Sequence, residues 1–90
     1  MRTKKLKVFI DGVRNLDLNN RDVTYYNLRT SKLDLSNKLI LDCLKFCLLL
    51  GFMNVRKVHR GKREVKLYYK RPTWLMLEYY VKVMLEDEYT

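Results

Sequence analysis

Between Leu39 and Leu50 ten of twelve positions are apolar, interrupted only by Asp42 and Lys45. A run this rich in good helix formers needs end signals to become a defined helix, and both are present. Ser36 can accept from a first-turn amide, and Leu35 and Ile40 occupy the positions of a hydrophobic staple around it. Gly51 suits the left-handed terminal conformation that a residue without a β-carbon adopts at no steric cost. The pattern predicts a helix of about fourteen residues beginning just after Ser36 and ending before Gly51.

Beyond Gly51 the period changes from helical to alternating. Residues 55–71 read as a β-hairpin turning at "RGKR". A two-residue turn with Gly61 first would pair Val58 with Val65, whereas a three-residue loop would pair Val55 with Leu67. The pattern leaves that register open. Val65 and Leu67 alternate with Lys66 and Tyr68, so the first pair is expected to meet the core and the second to stay wet. Pro72 ends the strand and opens a last helix over about 72–88, because proline fits a first helical turn and not a central strand. Glu78, Lys82 and Glu86 form one polar stripe on that helix, spaced for ion pairs. Most of the remaining circumference is apolar or aromatic, which demands burial on two sides. One side is expected to be the chain's own core. The other is assigned to a second copy, through Trp74, Leu77, Tyr80, Val81 and Met84.

The front of the chain carries two patterns at once. Leu6, Phe9, Ile10, Val13 and Leu16 have helical spacing, while Leu6, Val8 and Ile10 alternate as in a strand and Asp11-Gly12 favours a turn. Residues 4–16 are left open between helix and strand. Residues 22–32 suit a short helix capped by Asp22, although their Val, Thr and Tyr would also accept a strand.

Ninety residues allow one modest core, so residues 1–90 are expected to form a single domain. The longest unbroken apolar run, Phe46 to Leu50, is far short of a membrane span. The basic start "MRTKKLKVFIDG" has too short an apolar part for a signal peptide, so a cytoplasmic location is expected. Cys43 and Cys47 fall within one helix with no second pair to build a disulfide framework, and they read as small buried hydrophobes. With His59 the lone histidine, no metal site is expected, and neither is a cofactor.

Charge changes the picture most. Residues 56–71 hold Arg56, Lys57, Arg60, Lys62, Arg63, Lys66, Lys70 and Arg71 against Glu64 alone. That segment carries +7 of the chain's net +9, and residues 72–90 carry −3. Like charges on paired strands repel, so the ribbon works against its own folding. A dense single-sign ribbon of this kind is an electrostatic footprint for nucleic acid.

A short helix, a tight turn, a capped helix, a glycine and a basic hairpin together resemble the winged-helix DNA-binding proteins, of the small archaeal or viral type. The resemblance covers about residues 22–70 and rests best on "LDLSNKLILDCLKFCLLLGFMNVRKV". It implies an α+β, mostly helical fold with a basic β-hairpin wing, to which the apolar last helix adds a C-terminal dimerisation helix. It also implies duplex DNA binding in transcription regulation, with the middle helix in the major groove and the wing on the backbone or minor groove. Carried onto this sequence, Ser36, Asn37 and Lys38 lie at the leading end of the recognition helix and Lys45 further along it. Arg56, Lys57, Arg60, Lys62, Arg63 and Lys66 belong to the wing. Asn37 can read adenine, Lys38 or Lys45 can bond guanine or a phosphate, and Asp42 can accept from cytosine. Tyr25 and Tyr26 either contact phosphates or pack in the core. Because the helix is apolar over most of its surface, base reading is expected only from its first turn.

Two other readings use the same residues. Tyr68 and Tyr69 among lysines would suit single-stranded DNA or RNA stacked on a sheet face, if residues 4–10 and 22–28 are strands. The apolar last helix with its acidic end would suit a small protein-binding effector of viral type, itself a homodimer. Catalysis is not expected. Glu64-Val65-Lys66 has the spacing of a nuclease Glu-x-Lys element, with Asp42 or Asp34 as a second carboxylate, but such a tripeptide is common by chance.

Overall fold

The computed structural model describes residues 2–88, with side chains through Asp87. The order is α1 (Thr3–Leu18), α2 (Tyr25–Thr30), α3 (Asn37–Leu49), β1 (Met53–Arg60), β2 (Arg63–Lys70) and α4 (Trp74–Glu88). The chain is thus α+β and mostly helical, with a single antiparallel hairpin between the third and fourth helices.

In the first segment the longer period prevails. Leu6, Phe9, Ile10, Val13 and Leu16 are all buried on one face of α1, and the Asp11-Gly12 turn signal is overridden. Gly12 serves a different purpose. A β-carbon there would stand 2.6 Å from Leu33 Cδ1, so the glycine lets the loop after α2 close onto the helix. Helix α1 ends in a Schellman motif: the Arg21 N–H donates to the Leu16 carbonyl and the Asn20 N–H to that of Asp17. Asn20 takes the left-handed conformation there, at φ 53°.

The next helix is shorter than its pattern suggests and starts later. Its cap is Thr24, whose side chain accepts from the Asn27 N–H at 2.9 Å, and not Asp22. The residues before it are extended because the Tyr68 N–H donates to the Val23 carbonyl, which ties this segment to the outer edge of β2. In α3 the expected signals hold: Ser36 accepts from the Leu39 N–H at 3.2 Å. Gly51 sits at φ 77° within a second Schellman motif, with the Phe52 N–H on the Cys47 carbonyl.

The hairpin adopts the two-residue turn. Val58 opposes Val65 and Arg60 opposes Arg63. Gly61 at φ 67° is followed by a lysine of negative φ, the backbone pattern of a type II′ turn. Leu67 is buried and Val65 half-buried, as the alternation predicts. Tyr68 departs from it: on the opposite face it packs against the core cluster, and that burial raises its phenol pKa. The Val23 segment runs along the β2 edge at the base of the ribbon.

Helix α4 begins at Trp74, two residues after Pro72. Trp74, Leu77 and Val81 turn inward against α1 and join the core with Phe9, Val13, Leu28, Ile40 and Leu44. Glu78 pairs with Arg14 of α1. Three of the five residues assigned above to a dimer face are therefore unavailable for it, since one helix side already satisfies them. Met84 is half-buried, and Tyr80 alone of the five is exposed. The outward apolar side consists of Leu75, Met76, Tyr79 and Tyr80.

Candidate nucleic-acid interface

The register fixes which cations share a face of the ribbon. Lys57 stands opposite Lys66, with His59 opposite Glu64 on the same side. The other side carries Arg56 opposite Leu67 and Arg60 opposite Arg63. Two like-charged pairs thus face each other directly, an arrangement that destabilises a sheet.

Part of that repulsion is relieved within the chain. Arg60 forms an ion pair with Asp22, and Lys70 pairs with Asp17 and lies 5.7 Å from the Trp74 ring centre. Lys57 reaches Glu64 at 3.8 Å, and the Arg56 guanidinium lies 5.6 Å from the Tyr69 ring centre. The outside carboxylates come from the last turn of α1 and from the α1–α2 connection, so the hairpin is clasped at its base and again near its turn. Lys62, Arg63 and Lys66 are exposed and have neither an acidic nor an aromatic partner among the described residues, whereas Arg56 has its tyrosine ring. These three cations are the ones left to an outside anion.

Helix α3 contributes an exposed stripe of Asn37, Lys38, Leu41, Asp42, Lys45 and Leu49, with Ser36 at its head. The opposite face, with Ile40, Cys43, Leu44 and Cys47, is sealed in the core. Burial pushes the Cys47 thiol up to about 12 and, with a smaller contribution from the Asp42 charge, the Cys43 thiol up to about 11. Both are free thiols held neutral, which fits packing and not chemistry.

The stripe and the ribbon meet. Leu41, midway along the stripe, lines one concave surface with Tyr25 and Tyr26 from α2 and with Arg63, Lys66 and Tyr68 from β2. The two tyrosines divide the roles proposed for them. Tyr25 packs on the core while Tyr26 is exposed, and the Arg29 guanidinium lies within 5.7 and 5.4 Å of their ring centres. Arg29 adds a cation on this side that the sequence pattern did not single out. Asp22 and Asp17 likewise escaped notice as clasps, because their partners are far along the chain and only the tertiary fold joins them.

The sheet needed for single-strand stacking is absent in the expected form, since residues 4–10 are helical and the described residues hold only the two-stranded ribbon. Glu64 is engaged by Lys57, Asp34 lies 3.8 Å from Lys5, and Asp42 sits apart on α3. Among the described residues no three His, Cys, Asp or Glu side chains gather as metal ligands would. No described helix is long and apolar enough to cross a membrane. Compared with known proteins, the chain matches no family model, no curated protein and no solved structure.

Proposed function

We propose that this chain binds duplex DNA as a winged-helix protein and acts in transcription regulation. In this reading β1 and β2 are the wing and α3 is the recognition helix. The observation that carries it is the shared concave surface: Leu41, from the exposed stripe of α3, and the unpaired cations Arg63 and Lys66 of β2 line one groove. Cations on a ribbon beside the exposed stripe of a helix offer phosphate contacts and base-edge contacts together.

The roles divide by chemistry. Lys62, Arg63 and Lys66 bind backbone phosphates and displace condensed counterions, a sequence-independent contribution. Asn37 and Lys38 project from a first turn fixed by Ser36 and supply base selectivity. Lys45 binds a phosphate further along α3, and Leu41 one turn before it suits a thymine methyl. Arg56, Lys57 and Arg60 raise the local potential while their own partners hold them in place. Binding of the chain to duplex DNA, single-stranded DNA and RNA at two salt concentrations tests the reading. Duplex DNA is expected to bind tightest, with strong salt dependence. Preference for single strands or RNA would overturn it.

A further inference from the structure

The basic ribbon leaves the outer face of α4 unexplained. Leu75 is 71% exposed, Met76 66%, Tyr79 70% and Tyr80 54%. Thr73 donates to the Gly51 carbonyl, which sets the end of α3 against the start of α4. That brings Leu49 and Leu50, 75% and 57% exposed, to the same end of the molecule. Taking about 200 Å² for a large side chain, α4 alone exposes roughly 500 Å² and the six residues roughly 750 Å², near the ~800 Å² per partner of a standard interface. Exposed apolar surface on this scale marks an interaction site.

We infer that this face receives a second copy of the chain, with the two α4 helices packed antiparallel across a twofold axis near Tyr79. Charge selects both the partner and the direction. Helix α4 is preceded by Lys70 and Arg71 and ends in Glu86 and Asp87, so its two ends are of opposite sign. A parallel pair would set acid beside acid and base beside base. An antiparallel pair sets each acidic end against the partner's basic end. The spacing agrees: Asp87 lies eight residues from Tyr79, about 12 Å along the helix axis at 1.5 Å per residue, and Arg71 precedes the first turn at the other end. With the axis at Tyr79, Leu75 meets the partner copy near Val83 and Asp87 meets it near Arg71. The interface is isologous, so it closes at two copies. Trp74, Leu77 and Val81 stay in each copy's own core.

This inference does not depend on nucleic acid, and its test is run without any. Sedimentation velocity of the full chain at about 50 µM, well above the range of a tight dimer, should show a dimer. Tyr79→Glu should give a monomer with an unchanged circular-dichroism spectrum, since the residue is outside the core. Arg71→Glu should weaken self-association about tenfold, and adding Asp87→Arg should restore it. A parent chain that stays monomeric overturns the inference and gives the face to a different partner. A dimer indifferent to Tyr79→Glu also overturns it, and so does a failure of Asp87→Arg to rescue Arg71→Glu.

Discussion

The distal hairpin and the outer face of α4 are both surfaces the core does not use, and they are unfinished in opposite ways. The hairpin presents cations opposite cations, with three of them unpaired among the described residues. Water solvates those charges well, so the ribbon is tolerable alone and gains most from a polyanion that releases its counterions. The α4 face presents aromatic and aliphatic side chains, which water does not solvate well and which any apolar partner relieves. Salt separates the two. Added electrolyte weakens an association through the hairpin and leaves one through the middle of α4 nearly unchanged. One molecule can therefore carry two contacts that respond to different conditions.

The comparison breaks most readily at α4 itself, where inward and outward residues are neighbours. Leu77→Ala should lower stability by about 2–5 kcal/mol, because the vacated volume lies in the packed core. Leu75→Ala, two positions earlier, should stay within about 0.5 kcal/mol in the monomer. Urea denaturation of both at a concentration below dimerisation checks this. Equal losses would mean that the outer face is packed after all. On the polar side, Asn37→Ala should remove about 1–3 kcal/mol of discrimination at one base position and leave the fold intact. Selection from a randomised duplex library shows whether one position relaxes. An unchanged motif would take base reading away from α3.

A smaller effect sharpens the electrostatic half. Asp22→Asn frees Arg60 from its carboxylate, an exposed pair, so stability should fall by less than about 1 kcal/mol. Duplex affinity should rise, because the hairpin gains an unpaired cation. A fall in affinity would mean that the clasp orients the ribbon more than it neutralises it. Beneath both surfaces the thiols offer a pH reading. Their folded pKa values of about 11 and about 12 exceed the ordinary 9.0, so they contribute stability below pH 9.0 that is lost as pH rises through the folded values. Alkaline unfolding should be blunted in Cys47→Val, and native labelling by a thiol reagent should be slow until the chain unfolds.

Much of the scaffold was legible because short-range chemistry settles it. Ser36 and Gly51 bound α3, and Gly61-Lys62 suits one of the two registers the pattern allows. The misreadings share a tertiary cause. Gly12 looked like a turn residue, yet it is small so that Leu33 can approach. Asp22 looked like a cap, yet Thr24 caps α2 and Asp22 clasps Arg60. Tyr68 has the alternation of a solvent-facing residue, yet the fold packs it against the core. An evenly apolar α4 could not reveal which side meets α1, so Trp74, Leu77 and Val81 were placed outward when the core takes them. For the candidate site, the cations were visible in the sequence as a group. Which of them lack partners was not, because Asp17 and Asp22 reach the hairpin only through the fold.

The central claim is that unpaired cations on the hairpin meet DNA phosphates. The direct test is a salt titration of duplex affinity for the parent and for the triple variant Lys62→Glu, Arg63→Glu, Lys66→Glu. The three positions are exposed, so the variant should keep the parent's circular-dichroism spectrum. The parent should lose affinity linearly in log–log form, and the variant's slope should be shallower by about three units, at about 0.9 per phosphate contact. Identical slopes and affinities for the two proteins would contradict the account.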